Sequence, residues 1–474
     1  MAIRREEIES IVSEVLGRLG GLEAVAAAPT RPQGDWGIFQ ELEDAVAAAQ
    51  AAYPRIGTLA LREKIIRVIR QSARANARRL AEMAVDETGM GRIEDKIKKN
   101  LLVAERTPGT EILSPSAISG DMGLTLVENA PWGVIASATP STNPAATVIN
   151  NAISMLSGGN AVVFAPHPAA KRTSQETIKM LNKAIYEETG VKNLVTSIAE
   201  PNIEAAQKLF TFPGINLLVV TGGEAVVEAA REITNKRLIA AGAGNPPVVV
   251  DETADLKRAA QSIYDGASFD NNIICCDEKE IIAVEAVADR LKSELSACGA
   301  VEISLEQAET IARQVLRDYP GPTCRPDPRW VGRDASELAL LAGLKVPESC
   351  RLLIVDAGRD IDYVFARIEQ MMPLVPILRA RDFDQALDWA LTLERGLCHT
   401  AGLHSTNIRN MDIMARRVNT SLFVKNGPHL AGLGAGGEGW TSMTISTPTG
   451  EGVTNARTFV RLRRCTLVGS FRIV

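Results

Sequence analysis

Apolar positions along the chain follow two alternating spacings, and this alternation predicts an α/β fold. Short and almost continuously apolar runs, such as GVIASATP (133–140), AVVFAP (161–166) and INLLVVTGG (215–223), have the length of buried strands. Between them, segments such as AATVINNAISML (145–156) repeat apolar residues every three or four positions, which is typical of helices. Strands that alternate with helices indicate a parallel sheet covered on both faces.

The alternation continues through most of the chain and changes at its ends. A second run begins at EIIAVEAV (280–287) and continues with RLLIVDAG (351–358) and LVPILRA (374–380) as strand candidates. Ahead of the first run, residues 44–106 are Ala-rich and helical in period. Residues 458–474 are rich in β-branched side chains, which predicts a strand that pairs with a strand elsewhere in the fold or in another subunit.

Residues 1–20 carry a helical apolar stripe and precede a segment with the composition of a linker. The stripe consists of Ile8, Ile11, Val12, Val15, Leu16 and Leu19. Residues 21–37 are rich in Ala, Pro and Gly, which predicts a flexible connection. Two interpretations stay open: a first helix packed on the main body, and a detachable helix that docks in a partner's groove.

Composition and charge exclude several classes of protein. The chain has 474 residues and a hydrophobic share of 46%, which is enough for about two to four domains. A net charge of −5 argues against nucleic-acid binding. No apolar run reaches the roughly 18 residues of a membrane span. Seven cysteines without CxxC spacing suggest neither a disulfide framework nor a zinc site, so we expect a reducing, cytoplasmic setting.

Two glycine-rich segments are candidates for phosphate binding. Gly432, Gly434 and Gly437 match G-x-G-x-x-G, but they do not follow a strand of a βαβ unit, so a loop is the better interpretation. At 221–223 (TGG) an apolar strand ends and a helix begins at Glu224. This predicts free backbone amides at a helix N-terminus, which suit a pyrophosphate. An ordinary strand–turn–helix connection is the alternative.

Adjacent thiols at Cys275 and Cys276 are the leading candidates for a nucleophile. They lie in SFDNNIICCDEKE (268–280), a polar and acidic segment. A nucleophilic cysteine needs thiolate character, access and an oxyanion donor, whereas a buried cysteine is usually an inert apolar side chain. The histidines show no metal-ligand spacing, so no metal site is predicted, although a Cys–His pair stays open. They are His167, His399, His404 and His429.

Seven segments in a fixed order resemble the aldehyde dehydrogenase superfamily. They are PWGVI (131–135), TPSTNP (139–144), AVVFAPHP (161–168), VVTGGEAV (219–226), AAGAGNPPVVVD (240–251), SFDNNIICCDEKE (268–280) and EQMMPLVPI (369–377). The resemblance implies an α/β fold with three parts: a Rossmann-like cofactor domain, an α/β catalytic domain and a β oligomerisation arm. The implied ranges are 38–116 and 131–245 for the first, 246–440 for the second, and 117–130 with 441–474 for a two-stranded arm.

Within that superfamily, the chain resembles the CoA-acylating branch rather than the hydrolytic members. Hydrolytic members carry a Glu, the general base for water, in the segment that matches 241–245, which here reads AGAGN. Without that base, a thioester on the enzyme should survive until the thiol of coenzyme A takes the acyl group. Ala165 also stands where hydrolytic members have a Lys, so contacts to the adenosine ribose must differ.

The resemblance also implies roles for individual residues. Relatives place the nucleophile five positions after the Asp of a DNN segment, which from Asp270 selects Cys275 and leaves Cys276 as a packing residue. The Cys275 amide and the Asn143 side chain would hold the oxyanion. NAD and coenzyme A are the implied cofactors, and the residues implied at the nucleotide are Thr139, Pro140, Pro166, His167, Thr221, Gly222, Gly223, Gly242 and Glu369, the last at the nicotinamide ribose.

A short helix ahead of a linker is similar to the encapsulation peptides of aldehyde dehydrogenases packed in bacterial microcompartments, such as the propionaldehyde dehydrogenases of propanediol utilisation. The resemblance therefore implies that residues 1–20 bind a shell protein and that the enzyme works in the lumen of a microcompartment in the cytoplasm. The arm implies a homo-oligomer, either a dimer or a tetramer. Neither a nucleic acid nor a membrane is expected as a partner.

The implied function is the NAD-dependent oxidation of a short-chain aldehyde to its acyl-CoA, with propionaldehyde favoured over acetaldehyde. Three alternatives stay open: a hydrolytic aldehyde dehydrogenase, a microcompartment scaffold with an inactive site, and a reductase that runs from acyl-CoA to aldehyde. The absence of the general-base Glu argues against the first. The presence of Cys275, Asn143 and Glu369 argues against the second.

Overall fold

Two parallel β-sheets and a smaller antiparallel sheet form the framework of residues 34–474, the part of the chain that a computed structural model describes. The α/β class expected from the alternating pattern is confirmed. The predicted encapsulation helix, residues 1–20, and residues 21–33 of the predicted linker lie outside the described residues. At the end of that linker, Asp35 and Ile38 exchange backbone hydrogen bonds of 2.9 and 3.2 Å, which close a turn ahead of the first strand.

The first sheet has six parallel strands that are buried on both faces. Their order in space is Ile38–Phe39, Val195–Ile198, Ala161–Pro166, Val134–Thr139, Ile215–Thr221 and Arg237–Ala241. Every residue of Val134–Thr139 is buried, and so is every residue of the following helix, Pro144–Ser157. Burial on both faces explains why this strand is continuously apolar rather than alternating.

The second sheet has seven parallel strands. Their order is Val301–Ile303, Leu353–Gly358, Leu374–Ala380, Glu280–Val284, Pro247–Val250, Thr400–His404 and Leu422–Lys425. The last two strands have only five and four residues. These two strands and Val301–Ile303 were not predicted, because short runs without consecutive β-branched residues show no strand pattern.

A third sheet is antiparallel and lies largely in contact with solvent. Its strands are Ser116–Gly120, Gly123–Pro131 and Val460–Val468. The C-terminal strand pairs with Gly123–Pro131 over nine consecutive positions, and eight of its nine residues are exposed. The arm expected from residues 117–130 and 441–474 thus has three strands rather than the predicted two. Its role in oligomerisation stays a prediction.

Helices surround the two parallel sheets. Their bounds are Leu42–Ala52, Leu59–Ala75, Ala77–Thr88, Ile93–Arg106, Pro144–Ser157, Lys171–Thr189, Ile203–Thr211, Glu224–Ile233, Leu256–Ala267, Glu285–Ala297, Leu305–Val315, Ala335–Leu341, Val364–Arg367, Phe383–Glu394 and Ile408–Arg417. Short 3₁₀ turns lie at Tyr53–Ile56, Thr110–Ile112, Pro168–Ala170, Phe269–Asn272 and His429–Leu433, and two-residue strands pair at Leu316–Arg317 with Arg325–Pro326 and at Ile445–Ser446 with Gly452–Val453. Across residues 34–474, no helix has the length and apolar character needed to cross a membrane.

Candidate active site

The carboxyl edge of the first sheet gathers the residues predicted to bind the nucleotide. Thr139, Pro166 and Thr221 are the last residues of three adjacent strands, and Gly242 follows a fourth. Parallel strands end at the same edge of a sheet, where nucleotides bind in open α/β folds. The structure therefore brings together, at this edge, Thr139, Pro140, Pro166, His167, Thr221, Gly222, Gly223 and Gly242.

This edge offers space and one unused polar group, but fewer free amides than predicted. The Thr139 hydroxyl is buried without a protein partner. A methyl group added at Gly223, the residue that precedes the helix Glu224–Ile233, would meet nothing within 4 Å. The prediction of free amides at 221–223 is wrong for Gly222, because its amide donates to the Ala241 carbonyl at 3.1 Å and so extends the strand pairing. The His167 ring accepts a hydrogen bond from the Ala169 amide and closes a local turn.

The amino edge of the second sheet adjoins this site. Residues 242–246 alone connect the first-sheet strand Arg237–Ala241 to the second-sheet strand Pro247–Val250. Each of four neighbouring second-sheet strands is preceded by a short segment that reaches this edge. In their order across the sheet, those segments carry Glu369, Cys275, Gly244 and His399.

Gly244 is in direct contact with three of these groups. A Cβ atom at Gly244 would lie 2.7 Å from the Cys275 carbonyl oxygen and 2.9 Å from Cγ of His399. Its backbone amide donates a hydrogen bond to the Glu369 carboxylate. Segment 241–245 therefore passes between the candidate nucleophile and a histidine, at a distance that only glycine allows.

The turn ahead of Cys275 is held in an uncommon backbone conformation. Asp270, Asn271 and Asn272 have φ values of 46°, 56° and 63°, in the left-handed region that Asp and Asn tolerate better than most residues. The Asn271 amide donates to the Gly332 carbonyl at 2.8 Å, and the Asn272 amide donates to the carbonyls of Ala267 and Glu278. The DNN segment therefore has a structural role: it bends the chain sharply, and its side-chain amides form the hydrogen bonds that hold the bend.

The two adjacent cysteines differ in access. Cys275 is partly exposed, whereas Cys276 is fully buried within the core under the first sheet. A nucleophile must be reachable by substrate, so the exposure favours Cys275, as the count from Asp270 predicts. Cys276 has the surroundings of an apolar packing residue.

Asn143 begins the helix Pro144–Ser157 and contacts buried lysines that the sequence analysis missed. Its side-chain oxygen accepts a hydrogen bond from Lys99, and its amide nitrogen donates to the Thr142 hydroxyl at 3.1 Å. Lys99 and Lys96 both bind the Asp270 carboxylate. A chain of contacts thus joins the candidate oxyanion residue to the turn that leads to Cys275.

Comparison with known proteins identifies the family. The profile described as the aldehyde dehydrogenase family matches residues 39–303, more than half of the chain. The chain belongs to the aldehyde dehydrogenase family. The acetylating acetaldehyde dehydrogenase of Bilophila wadsworthia is 66% identical over the full length of both chains. The CoA-propanoylating propanal dehydrogenase of Salmonella typhimurium is 44% identical over 98% of this chain and 99% of its own. These relatives confirm the predicted CoA-acylating branch.

Solved structures give the same result for the fold. A propionaldehyde dehydrogenase from the fucose utilisation microcompartment of Clostridium phytofermentans is 42% identical, with a TM-score of 0.89 over 93% of this chain and 100% of its own. The Rhodopseudomonas palustris propionaldehyde dehydrogenase, solved with bound CoA and an acylated cysteine, is 41% identical, with a TM-score of 0.88 over 92% and 99%.

Burial sets the protonation of the groups around the thiol of this aldehyde dehydrogenase. Burial, reinforced by the Glu369 carboxylate, raises the pKa of Cys275 to about 12, although Lys279 opposes the shift. Burial also raises the pKa of Glu369 to about 7. The pKa of His399 falls to about 4 because burial, and then Lys279, disfavour its cation. The ligand-free site therefore holds a protonated thiol and a neutral imidazole.

The sequence left open the roles of His399, His404 and His429, and their contacts in the structure differ. His399 places Nδ1 2.8 Å from the Thr400 hydroxyl, and its buried Nε2 has no hydrogen-bond partner among residues 34–474. His429 instead contacts the Cys276 carbonyl through Nδ1 at 3.0 Å, and burial lowers the pKa of both His429 and His404. Of the three, His399 lies next to Gly244 and Cys275. Within residues 34–474, no cluster of three His, Cys, Asp or Glu side chains is placed to hold a metal ion.

Replacing Gly244 by Ala tests this arrangement. The added methyl group would push on the Cys275 carbonyl and the His399 ring, and a displacement near 1 Å at a reacting group can lower the rate by about 10²-fold. We expect Gly244→Ala to lower kcat/KM for aldehyde oxidation by at least ~10²-fold, with a circular dichroism spectrum like that of the parent enzyme. Gly57→Ala is the matched control, because its Cβ would have only one neighbour, at 3.8 Å. Parent-like activity in Gly244→Ala would contradict the close contact.

Proposed function

We propose that this chain oxidises short-chain aldehydes to acyl-CoA thioesters, with NAD as the oxidant and a thioester on Cys275 as the intermediate. The observation that carries the proposal is the contact at Gly244, where a segment without a carboxylate lies against the partly exposed Cys275. A base that would deliver water to the thioester is missing from this position. The acyl group is then left for a thiol nucleophile.

The polar groups of the same segment do not replace that base. The Asn245 amide donates to the carbonyls of Ala366 and Leu393, both at 2.9 Å, and is fully buried. Glu369 is a nearby carboxylate, but it accepts the Gly244 amide and is assigned to the nicotinamide ribose. These contacts support acyl transfer to CoA over hydrolysis.

In the first half-reaction, the Cys275 thiol loses its proton to solvent, and its sulfur forms a bond to the aldehyde carbon. The carbonyl oxygen becomes an oxyanion, which the Cys275 backbone amide and the Asn143 side-chain amide stabilise by hydrogen bonds. A nucleotide held at Thr139, Gly223 and Glu369 would supply the two-electron oxidant for the hydride on that carbon, and its positively charged ring would lower the thiol pKa. The carbon is then a thioester carbonyl.

In the second half-reaction, the thiol of CoA replaces Cys275 at the acyl carbon. His399 is placed to accept the CoA thiol proton, because its imidazole is neutral and its Nε2 lacks a protein partner. A proton on Nδ1, directed at the Thr400 hydroxyl, leaves the Nε2 lone pair available. The sulfur–carbon bond to Cys275 breaks, and acyl-CoA leaves.

The nucleotide is assigned to the carboxyl edge of the first sheet. The open space at Gly223 allows a phosphate to approach the backbone, and the unpaired Thr139 hydroxyl can donate a hydrogen bond. Glu369, which precedes a strand of the second sheet, would accept a hydrogen bond from a ribose hydroxyl. The other residues assigned to this site are Pro140, Pro166, His167, Thr221, Gly222 and Gly242.

The decisive test measures NADH formation from an aldehyde and NAD, with and without CoA. We expect sustained turnover only with CoA, and a loss of at least ~10³-fold in Cys275→Ala, because removal of a nucleophile has effects of that size. Cys276→Ala is the matched control and should keep most of the activity. Sustained turnover without CoA would mean that water deacylates the enzyme and would sink the proposal.

Two further variants in the same assay separate the half-reactions. His399→Gln should keep the single-turnover burst of NADH and lose the CoA-dependent steady state; loss of the burst would instead assign His399 to the Cys275 thiol.

Glu369→Gln should raise KM for NAD more than KM for CoA. An unchanged KM for NAD would remove Glu369 from the nucleotide site.

Acetaldehyde is the substrate that we now favour over propionaldehyde. The acetylating relative is 66% identical, whereas the CoA-propanoylating relative is 44% identical, and both matches extend over nearly the full chains. We expect kcat/KM for acetaldehyde to exceed that for propionaldehyde by roughly tenfold, the lower end of what one methylene group changes in a fitted pocket. A ratio in favour of propionaldehyde would restore the preference inferred from the sequence.

We also propose that residues 1–20 direct the enzyme into a bacterial microcompartment by binding a shell protein. The apolar stripe supports this, as does the structural relative from a fucose utilisation microcompartment. A fluorescent protein fused to residues 1–20 should copurify with assembled shells. Val12→Glu, on the stripe, should abolish copurification, whereas Ser13→Glu, off the stripe, should not. Equal recovery of the two variants would argue against docking through the stripe.

A further inference from the structure

Three buried charged groups connect Asn143 to the turn ahead of Cys275. Lys96, Lys99 and Asp270 are each at most 3% exposed. One Asp270 oxygen accepts the Arg92 backbone amide at 2.8 Å, and the other accepts both lysine ammonium groups. Buried charges are costly unless they are paired. Here two cations share one carboxylate, so the cluster carries surplus positive charge.

The neighbouring acid, Asp95, favours the Lys96 cation but offsets that surplus only in part. Asp95 is also buried, but its carboxylate bonds Arg351, lies 3.4 Å from Lys98, and accepts the Asp270 backbone amide. Its charge is therefore already opposed by two other cations. Lys99 also donates a hydrogen bond to the Asn143 side-chain oxygen. This contact places one of the two cations directly against the Asn143 amide.

Lys99 determines which way the Asn143 amide points. An ammonium group only donates hydrogen bonds, so it must face the amide oxygen of Asn143, and the NH₂ end must point away. One of the two N–H bonds is used by the Thr142 hydroxyl. The other is left for a ligand. Lys96 also holds this turn, since it donates to the Thr142 carbonyl at 3.2 Å.

We propose that Lys99 is a positioning residue for the oxyanion site, which orients the Asn143 amide and ties it through Asp270 to the turn that carries Cys275. The inference rests on the proposed function in one respect, the role of Asn143 as an oxyanion donor. A cation on the amide oxygen also polarises the amide and strengthens its N–H donor. Because the contact is buried and formed in advance, no reorganisation is needed when negative charge develops on the substrate.

The first experiment compares Lys99→Met with Lys98→Met, its neighbour on the same helix. Lys98 has a side chain that is 64% exposed and contacts Asp95 at 3.4 Å, so the control carries the same chemical change at a lysine that contacts neither Asn143 nor Asp270. Two rates are measured: the single-turnover burst of NADH, and the alkylation of Cys275 by iodoacetamide, a reaction that forms no oxyanion. We expect Lys99→Met to slow the burst by about 10²-fold, as loss of an oxyanion donor does, with a parent-like alkylation rate. Lys98→Met should match the parent enzyme in both.

A double-mutant cycle with Asn143→Ala shows whether Lys99 acts through Asn143. Groups that act as a unit are not additive, so Asn143→Ala with Lys99→Met should be no slower than Asn143→Ala alone. Losses that add would overturn the inference. So would a parallel fall of the burst, the alkylation rate and the melting temperature in Lys99→Met, because that pattern marks a purely structural role.

Two outcomes distinguish failure of the inference from failure of the proposed function. If Asn143→Ala slows the burst and Lys99→Met does not, only the inference fails. If Asn143→Ala leaves the burst unchanged, the proposed oxyanion role fails, and the inference fails with it. Should Lys99→Met not fold, Lys99→Gln removes the charge with little change in volume and should show the same slow burst. Lys99→Arg keeps the charge and should recover part of the rate.

Discussion

The site depends on one connection, residues 242–246, through which the chain crosses from the first parallel sheet to the second. This segment is short, so the carboxyl edge of one sheet and the amino edge of the other must lie side by side. The positions proposed to bind the nucleotide therefore adjoin the segments that carry Cys275, His399 and Glu369. The connection also needs small residues, because Gly244 packs against the Cys275 carbonyl and the His399 ring.

A second constraint is the electrostatic cost of burying ionisable groups around that connection. Burial raises the pKa of Asp277 and Glu278 to about 8 and that of Glu369 to about 7. The same effect keeps His399 neutral and Cys275 protonated. The ligand-free site therefore keeps its thiol unreactive although Lys279 opposes the shift. Further positive charge from a bound nucleotide is needed to lower the thiol pKa.

Those features of the fold and the site that a local sequence pattern encodes could be predicted. Continuous apolar runs located strands such as Val134–Thr139 and Ile215–Thr221, because buried parallel strands carry no polar alternation. The count from Asp270 selected the more exposed of the two cysteines. The meeting of Thr139, Pro166 and Thr221 at one edge of the first sheet was predictable as well, because each of them ends a recognisable strand.

The same reasoning could not reach contacts between distant parts of the chain. The pairing of Lys99 with Asn143 and Asp270 joins residues separated by 44 and 171 positions. Nothing in the local pattern marks a lysine as buried, and most lysines are exposed. The strand Thr400–His404 was missed for a related reason, because its pairing with Pro247–Val250, rather than its composition, makes it a strand. His399 accordingly gained a role only once that pairing was known.

Packing at the connection also bears on why CoA rather than water should take the acyl group. A Cβ at Gly242 would lie 3.0 Å from Pro448, and one at Gly244 would lie 2.7 Å from the Cys275 carbonyl. A side chain at either position would therefore press on Pro448 or on the Cys275 carbonyl. A carboxylate introduced there would have to move the nucleophile or the Pro448 loop before it could activate water. The backbone path of residues 242–246 therefore opposes a carboxylate at Gly242 and at Gly244, which leaves the acyl group for the thiol of CoA.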